Sequence, residues 1–171
     1  MADIYNISNW AASTSYNVND IVINGSYYYY SLTNHTSSSN FSSDLTNNWG
    51  GVLSYQGRTL PQFFWKISYG YTLDIEPAIK SIKFGDNYEQ ILADGIQNIL
   101  LPFNIDFNNR DSNENRAISH FLFTRAGHGK FYFTPPQPYN IPKIFTCPKW
   151  SSSQEFYNNY TIKANFTEKV I

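Results

Sequence analysis

Apolar and polar residues alternate along much of the chain, and a period of two is typical of β-strands. In residues 101–107, Leu, Phe, Ile and Phe alternate with Pro, Asn and Asp, and residues 160–166 repeat the alternation. One face of each strand is therefore predicted to be buried and the other to face water. Strands are predicted at residues 15–23, 27–33, 62–68, 78–84, 96–107, 130–134, 141–147 and 159–170.

One segment has the helical period instead. Asp111 can cap a helix, Glu114 three residues later completes a capping box, and Gly127 can end it. The apolar stripe of this helix, which should pack on the sheet, consists of Ala117, Ile118, Phe121 and Leu122. The predicted fold is mainly β: a small three-stranded module, then a β-sandwich or barrel-like domain with one packed α-helix.

Charge divides the chain into two parts. Residues 1–57 contain three Asp and no Lys or Arg, and all 12 basic residues lie from Arg58 onward. The change follows the turn-forming sequence NNWGG. We therefore predict two domains, residues 1–57 and residues 58–171.

Composition excludes several classes of protein. The formal net charge is −1. The chain therefore lacks the excess of basic residues that is typical of nucleic-acid-binding proteins. A single cysteine excludes an internal disulfide and a Cys-only metal site. The N-terminus has no apolar signal region, and no apolar run is long enough for a membrane span. We expect a soluble protein, made inside a cell, without a cofactor.

Catalytic residues are not evident. Cys147, in FTCPKW, has no nearby His or helix N-terminus to lower its pKa. Asp86 and Glu89 lie near a turn, where carboxylates usually accept backbone N–H bonds. No metal-ligand spacing relates the three histidines, which are His35, His120 and His128. The sequence predicts no catalytic site and no metal site.

Recognition is the remaining class of function. Four consecutive tyrosines, Tyr27–Tyr30, should place two rings on each face of a strand. If one face covers a small core, the other displays aromatic rings, which can contact either a sugar or a protein. Both alternatives are open.

Residues 9–51 resemble the small carbohydrate-binding modules of chitin-binding type. The match consists of a Trp, a Tyr six residues later, NDIV, NGSYY, NHTS and a closing Trp. The resemblance implies a core built from Trp10, Tyr16, Tyr28 and Trp49. Leu and Thr stand where many chitin binders have adjacent tryptophans, so the expected sugar contacts are Tyr27, Tyr29 and His35.

Residues 62–170 resemble the lambda-type minor and distal tail proteins of long-tailed phages. The matching motifs, in order, are FWK, IKSIKFGDNYEQ, GHGKFYFTPP and FTCPKWSSS. The resemblance implies a tail-tube-like fold in a ring, expected to be a hexamer, that joins the tail tube protein to the tip and hub proteins. It also implies a virion protein of the tail tip, made in the host bacterial cytoplasm, with DNA passing through the ring without being read.

The proline-rich stretch after residue 134 is the predicted inter-subunit loop, because an ordered connector loses little entropy on docking. This loop contains Pro135, Pro136, Pro138 and Tyr139. Two other functions stay open from the sequence. One is an adhesin whose main task is binding a bacterial surface glycan, and the other is an envelope hydrolase that uses Cys147 or Asp86.

Overall fold

The computed structural model describes residues 4–84 and 88–170, and confirms a mainly β fold. Its strands are β1 Ser15–Tyr16, β2 Ile21–Asn24, β3 Tyr27–Ser31, β4 His35–Thr36, β5 Trp49–Gly50, β6 Val52–Tyr55, β7 Arg58–Phe63, β8 Thr72–Leu73, β9 Ile79–Lys83, β10 Glu89–Ala93, β11 Pro102–Arg110, β12 Phe131–Phe133, β13 Lys143–Phe156 and β14 Asn159–Glu168. Its helices are α1 Phe41–Asn48 and α2 Ser112–Arg125.

The main sheet has seven strands in the order β6-β7-β12-β13-β14-β11-β8. Strands β7 and β12 are parallel, and the other neighbours are antiparallel. Within the described residues this sheet is open, with β6 and β8 at its edges, so it is not a closed barrel.

The predicted alternation is confirmed in two neighbouring inner strands of the sheet, β11 and β14. Pairing of β11 with β14 places apolar side chains of the same face opposite each other, and all of them are buried. The cross-strand pairs are Phe103 with Phe166, Ile105 with Ala164, and Phe107 with Ile162. These residues form the floor of an aromatic core.

Helix α2 covers this floor, and its predicted ends are largely confirmed. The Asp111 carboxylate accepts a hydrogen bond from the Glu114 N–H at 2.8 Å. At the other end, Ala126 adopts a left-handed conformation with φ 49°, directly before Gly127. The predicted apolar stripe is buried against the sheet.

The N-terminal part contains a three-stranded sheet, β2-β3-β5, a separate β1–β4 pair and helix α1, which was not predicted. Asn40 caps α1, because its side chain accepts from the Ser42 N–H at 3.0 Å. With Phe41, the helix covers the outer face of β3. Helix α1 has eight residues, few of them apolar, so no clear helical pattern of apolar residues predicts it.

The two parts of the chain share one core. Tyr30 of β3 is fully buried, and its hydroxyl lies 3.0 Å from Nδ1 of His120 on α2. The Trp65 indole N–H donates to the Asn19 side chain at 3.0 Å. The predicted domain boundary falls in the turn between the paired strands β6 and β7. A division into two domains stays a prediction.

We predict that Tyr30→Phe lowers the free energy of unfolding by about 1–3 kcal/mol, because it removes a buried hydrogen bond to His120. Urea denaturation measures this change. Tyr27→Phe is the matched control, since Tyr27 lies on the same strand but is exposed, and it should change stability by less than about 0.5 kcal/mol. Equal stability of wild type and Tyr30→Phe would contradict the proposed link.

Candidate functional site

Cys147 lies in the interior of the protein. Its side chain is fully buried in β13, and Sγ donates a weak hydrogen bond to the Lys149 carbonyl at 3.4 Å. Burial raises the pKa of this thiol to about 12. Because the thiolate is the nucleophile, this position is unsuited to covalent catalysis near neutral pH.

Among the described residues, the other polar candidates do not come together as a reactive site. His120 is buried among the aromatic rings of Tyr5, Tyr28 and Tyr30. Asp86 lies outside the described residues, and Glu89 accepts a hydrogen bond from the Ser81 hydroxyl. Within residues 4–84 and 88–170, no three His, Cys, Asp or Glu side chains come together as a metal site requires.

The three predicted sugar contacts lie in different environments. Tyr27 is exposed, whereas Tyr29 is 8% exposed and packs edge-on against Phe41, 4.8 Å between ring centroids. His35 lies against Trp49, with Nδ1 3.0 Å from the Thr33 carbonyl. The structure therefore does not bring the three rings onto one exposed surface. Their role in sugar binding stays a prediction.

The four tyrosines of β3 alternate between its two faces, and other residues pack against each face. Tyr30 and Tyr28 face α2 and the main core, while Tyr29 faces a second aromatic cluster. The buried members of this second cluster are Val22, Tyr29, Phe41 and Trp49, with Trp10, Tyr16, Leu45 and Val52 packed against them. Three of the four aromatic residues predicted for the module core thus lie in this cluster, and Tyr28 lies in the other.

A cleft of about 290 Å³ opens between β3, β7 and the last turn of α2. Tyr27, Tyr28 and Tyr30 of β3 line one side of it, and Arg125 of α2 lines another. Thr59 of β7 and Thr124 of α2 also line it. The Thr59 hydroxyl lies 2.7 Å from the Ser54 hydroxyl, and the Thr124 hydroxyl donates to the Phe121 carbonyl at 2.8 Å. We call this the Tyr27–Arg125 cleft. Sequence reasoning missed Arg125, since only the packing of α2 against β3 brings it near the tyrosines.

The predicted inter-subunit loop forms one side of a larger groove. Pro135 is buried, Pro136 and Tyr139 are half-buried, and Pro138 is exposed. Pro135 and Pro136 line a groove of about 450 Å³ whose other wall is the aromatic segment 63–69. We call this the proline groove. The loop thus contributes to a concave surface lined by proline and aromatic residues.

Strands β9 and β10 form a hairpin separate from the main sheet, and every residue in both strands is exposed. We call residues 79–93, apart from 85–87, the arm. Ile79 and Ile91 lie on one face, and Ile82 and Leu92 on the other, according to the strand register. These four apolar side chains are between 36% and 60% exposed. The sequence contains an indication of this exposure. Apolar residues three positions apart lie on opposite faces of a strand, so they cannot both be buried against one surface.

Comparisons with known proteins identify the family of the C-terminal part. The phage minor tail protein family matches residues 61–170, which confirms the resemblance found in the sequence. Tail tip protein M of Escherichia phage lambda is 30% identical over 90 residues, which are 53% of this chain and 81% of that protein. Neither helix in the described part of the chain has the length and apolar character needed to cross a membrane.

We predict that a thiol reagent at about pH 8 leaves Cys147 unlabelled in the folded protein, because thiolate is scarce so far below the raised pKa. In denaturant, the same reagent should label one thiol per chain. The absorbance of the group that the reagent releases on reacting with a thiol measures the extent of labelling in both conditions. Rapid labelling of the folded protein would show an accessible, reactive thiol and would restore the hydrolase hypothesis.

Proposed function

The chain belongs to the phage minor tail protein family, and from that premise we propose that it is a tail-tip subunit forming a ring between tail tube and tip. A structural role in the phage tail and a location in the virion follow from the family itself. The ring, its expected hexameric state, the passage of DNA through its lumen and its contacts with tube and hub proteins are the parts we propose.

The exposed arm is the observation that carries this proposal. An isolated two-stranded hairpin is marginally stable in water, and this one exposes apolar side chains on both faces. Among the described residues β9 and β10 pair only with each other, so their outer edges add free backbone donors and acceptors. An element of this kind is stabilised when another protein surface covers it, as happens in an assembled particle.

The arm and the proline groove are different patches of one molecule. A ring requires such heterologous contacts, in which one patch of a subunit meets another patch of its neighbour. We propose that the arm of one copy lies against the next copy, with the proline groove and its loop at that interface. The buried thiol of Cys147 supports a binding role over a catalytic one.

A second candidate function is glycan recognition by the N-terminal part, as in a host-surface adhesin. Tyr27 supports it, because its side chain is 41% exposed. Tyr29 and His35 are packed against other aromatic rings, so Tyr27 is the residue to test. The whole chain should be used, since the N-terminal part shares its core with the remainder.

We predict that Ile91→Glu reduces the amount of this chain in purified tails at least about tenfold, because a charge buried at an apolar contact is costly. Tails assembled with each variant as the only copy are compared by immunoblot. Tyr157→Glu is the control: Tyr157 is 93% exposed in the turn between β13 and β14, and this variant should be incorporated normally. Normal incorporation of Ile91→Glu would contradict a covered arm.

For the second candidate, we predict that the whole chain binds at least one bacterial surface glycan on an array and that Tyr27→Ala abolishes the signal. Loss of the stacking ring should not unfold the protein, since Tyr27 is exposed. Circular dichroism and thermal melting check this. A flat array for the wild-type chain would leave the N-terminal part with an architectural role only.

A further inference from the structure

The proline groove is an apolar surface that carries one charge. Aromatic, proline and aliphatic side chains make up most of its walls, and among the described residues that line it only Lys66 is charged. The Lys66 side chain is exposed, and it takes part in neither of the two ion pairs in the described part of the chain. A protein segment that fits this groove should therefore present an apolar side chain with a carboxylate beside it.

The base of the arm has this combination of groups. Residues 74–76 and 94–99 flank the arm, and the Asp94 N–H donates to the Ala78 carbonyl at 2.9 Å, which holds the two ends of the arm together. The two segments contain three isoleucines and three acids, and they contain no Lys or Arg. We call residues 74–76 and 94–99 the isoleucine patch.

Ile96 is the most prominent side chain of this patch. It is fully exposed, and it follows Gly95, whose φ of 92° turns the chain outward at this point. Asp94 lies two residues before Ile96, is exposed, and belongs to neither ion pair of the described residues. The patch therefore pairs an apolar side chain with a free carboxylate, as the charge of the groove requires.

The isoleucine patch and the proline groove lie beside different parts of the proline-rich loop. Gln97 of the patch lines a separate cavity with Ile141 and Pro142, at the end of the loop. Pro135 and Pro136, at its start, line the groove. No described residue lines both cavities. One copy can therefore offer the patch to one neighbour and the groove to another, as a heterologous ring contact requires.

We propose that the isoleucine patch of one copy occupies the proline groove of the next copy. Ile96 enters the groove, and the Asp94 carboxylate pairs with the Lys66 ammonium. Burial at such a contact strengthens the ion pair, because less water competes for either group. This inference rests on the proposed ring of copies, and it names the residues through which neighbouring copies meet.

A reciprocal charge exchange tests the contact. Lys66→Glu and Asp94→Lys, each as the only copy, should reduce the amount of this chain in purified tails at least about tenfold, because like charges then meet. The double variant restores opposite charges and should be incorporated. Lys130→Glu is the matched control, since Lys130 is an exposed cation outside the groove, and it should be incorporated normally. Thermal melting of each free chain checks that it folds.

Cross-linking in purified tails tests the same contact without changing a charge. A chain with Ile96→Cys and Tyr69→Cys places one thiol on the patch and one on the groove, because Tyr69 is exposed and lines the groove. A short bismaleimide should give a ladder on a denaturing gel that extends beyond the dimer. Ile96→Cys alone should stay monomeric, since Cys147 is buried.

Several outcomes would overturn the proposal. Normal incorporation of both single variants, with Ile91→Glu excluded, would remove this contact but leave the covered arm. Exclusion of Lys66→Glu alone would indicate an acidic segment of another tail protein in the groove. A double variant that stays excluded would refute the pairing of Lys66 with Asp94. A ladder that stops at the dimer would show a two-fold contact between copies instead of a ring.

Discussion

Burial of Tyr30 between the two parts of the chain is the constraint on which the remaining structure depends. Its ring packs against Trp65 at 4.9 Å between centroids, and its hydroxyl meets His120. These contacts fix β3 on α2. The Tyr27–Arg125 cleft follows directly, because residues of β3 and of the last turn of α2 line it together. Neither half would form this cleft alone.

The arm lies outside this core, and its exposed apolar residues therefore indicate a contact with another protein. Phenylalanine rings that are at most 3% exposed fill the space between α2 and the main sheet, and no residue of the arm belongs to this core. Strands β9 and β10 contribute nothing to that core and yet carry apolar side chains on two faces. A chain of the phage minor tail protein family has other tail proteins as neighbours, and the arm is the element best suited to meet one of them.

The sequence predicted those structural features that depend on neighbouring residues better than those that depend on tertiary contacts. Alternation in residues 101–107 and 160–166 was decisive, because these strands pair with each other and bury one face. The ends of α2 were predictable from Asp111 and Gly127, whose effects act within one turn. By contrast, burial of Tyr29 depends on α1, whose covering of β3 is a tertiary contact.

The candidate sites were less predictable for the same reason. Arg125 lies near the tyrosines only because α2 packs against β3. No residue spacing in the sequence predicts that contact. Only β9 of the arm was predicted, within the strand at residues 78–84, whereas β10 was not, and the spacing of Ile79 and Ile82 is inconsistent with a single buried face. Cys147, in contrast, was expected to be inert, and its burial agrees with that expectation.

Hydrogen–deuterium exchange of the arm tests the central claim most directly, because backbone amides exchange slowly only where hydrogen bonds are shielded from water. The free chain and the same chain in intact purified tails should be compared. A tail subunit that uses its arm as an interface should show rapid exchange at residues 79–83 and 89–93 when free and strong protection in tails. Equally rapid exchange in both samples would contradict this account.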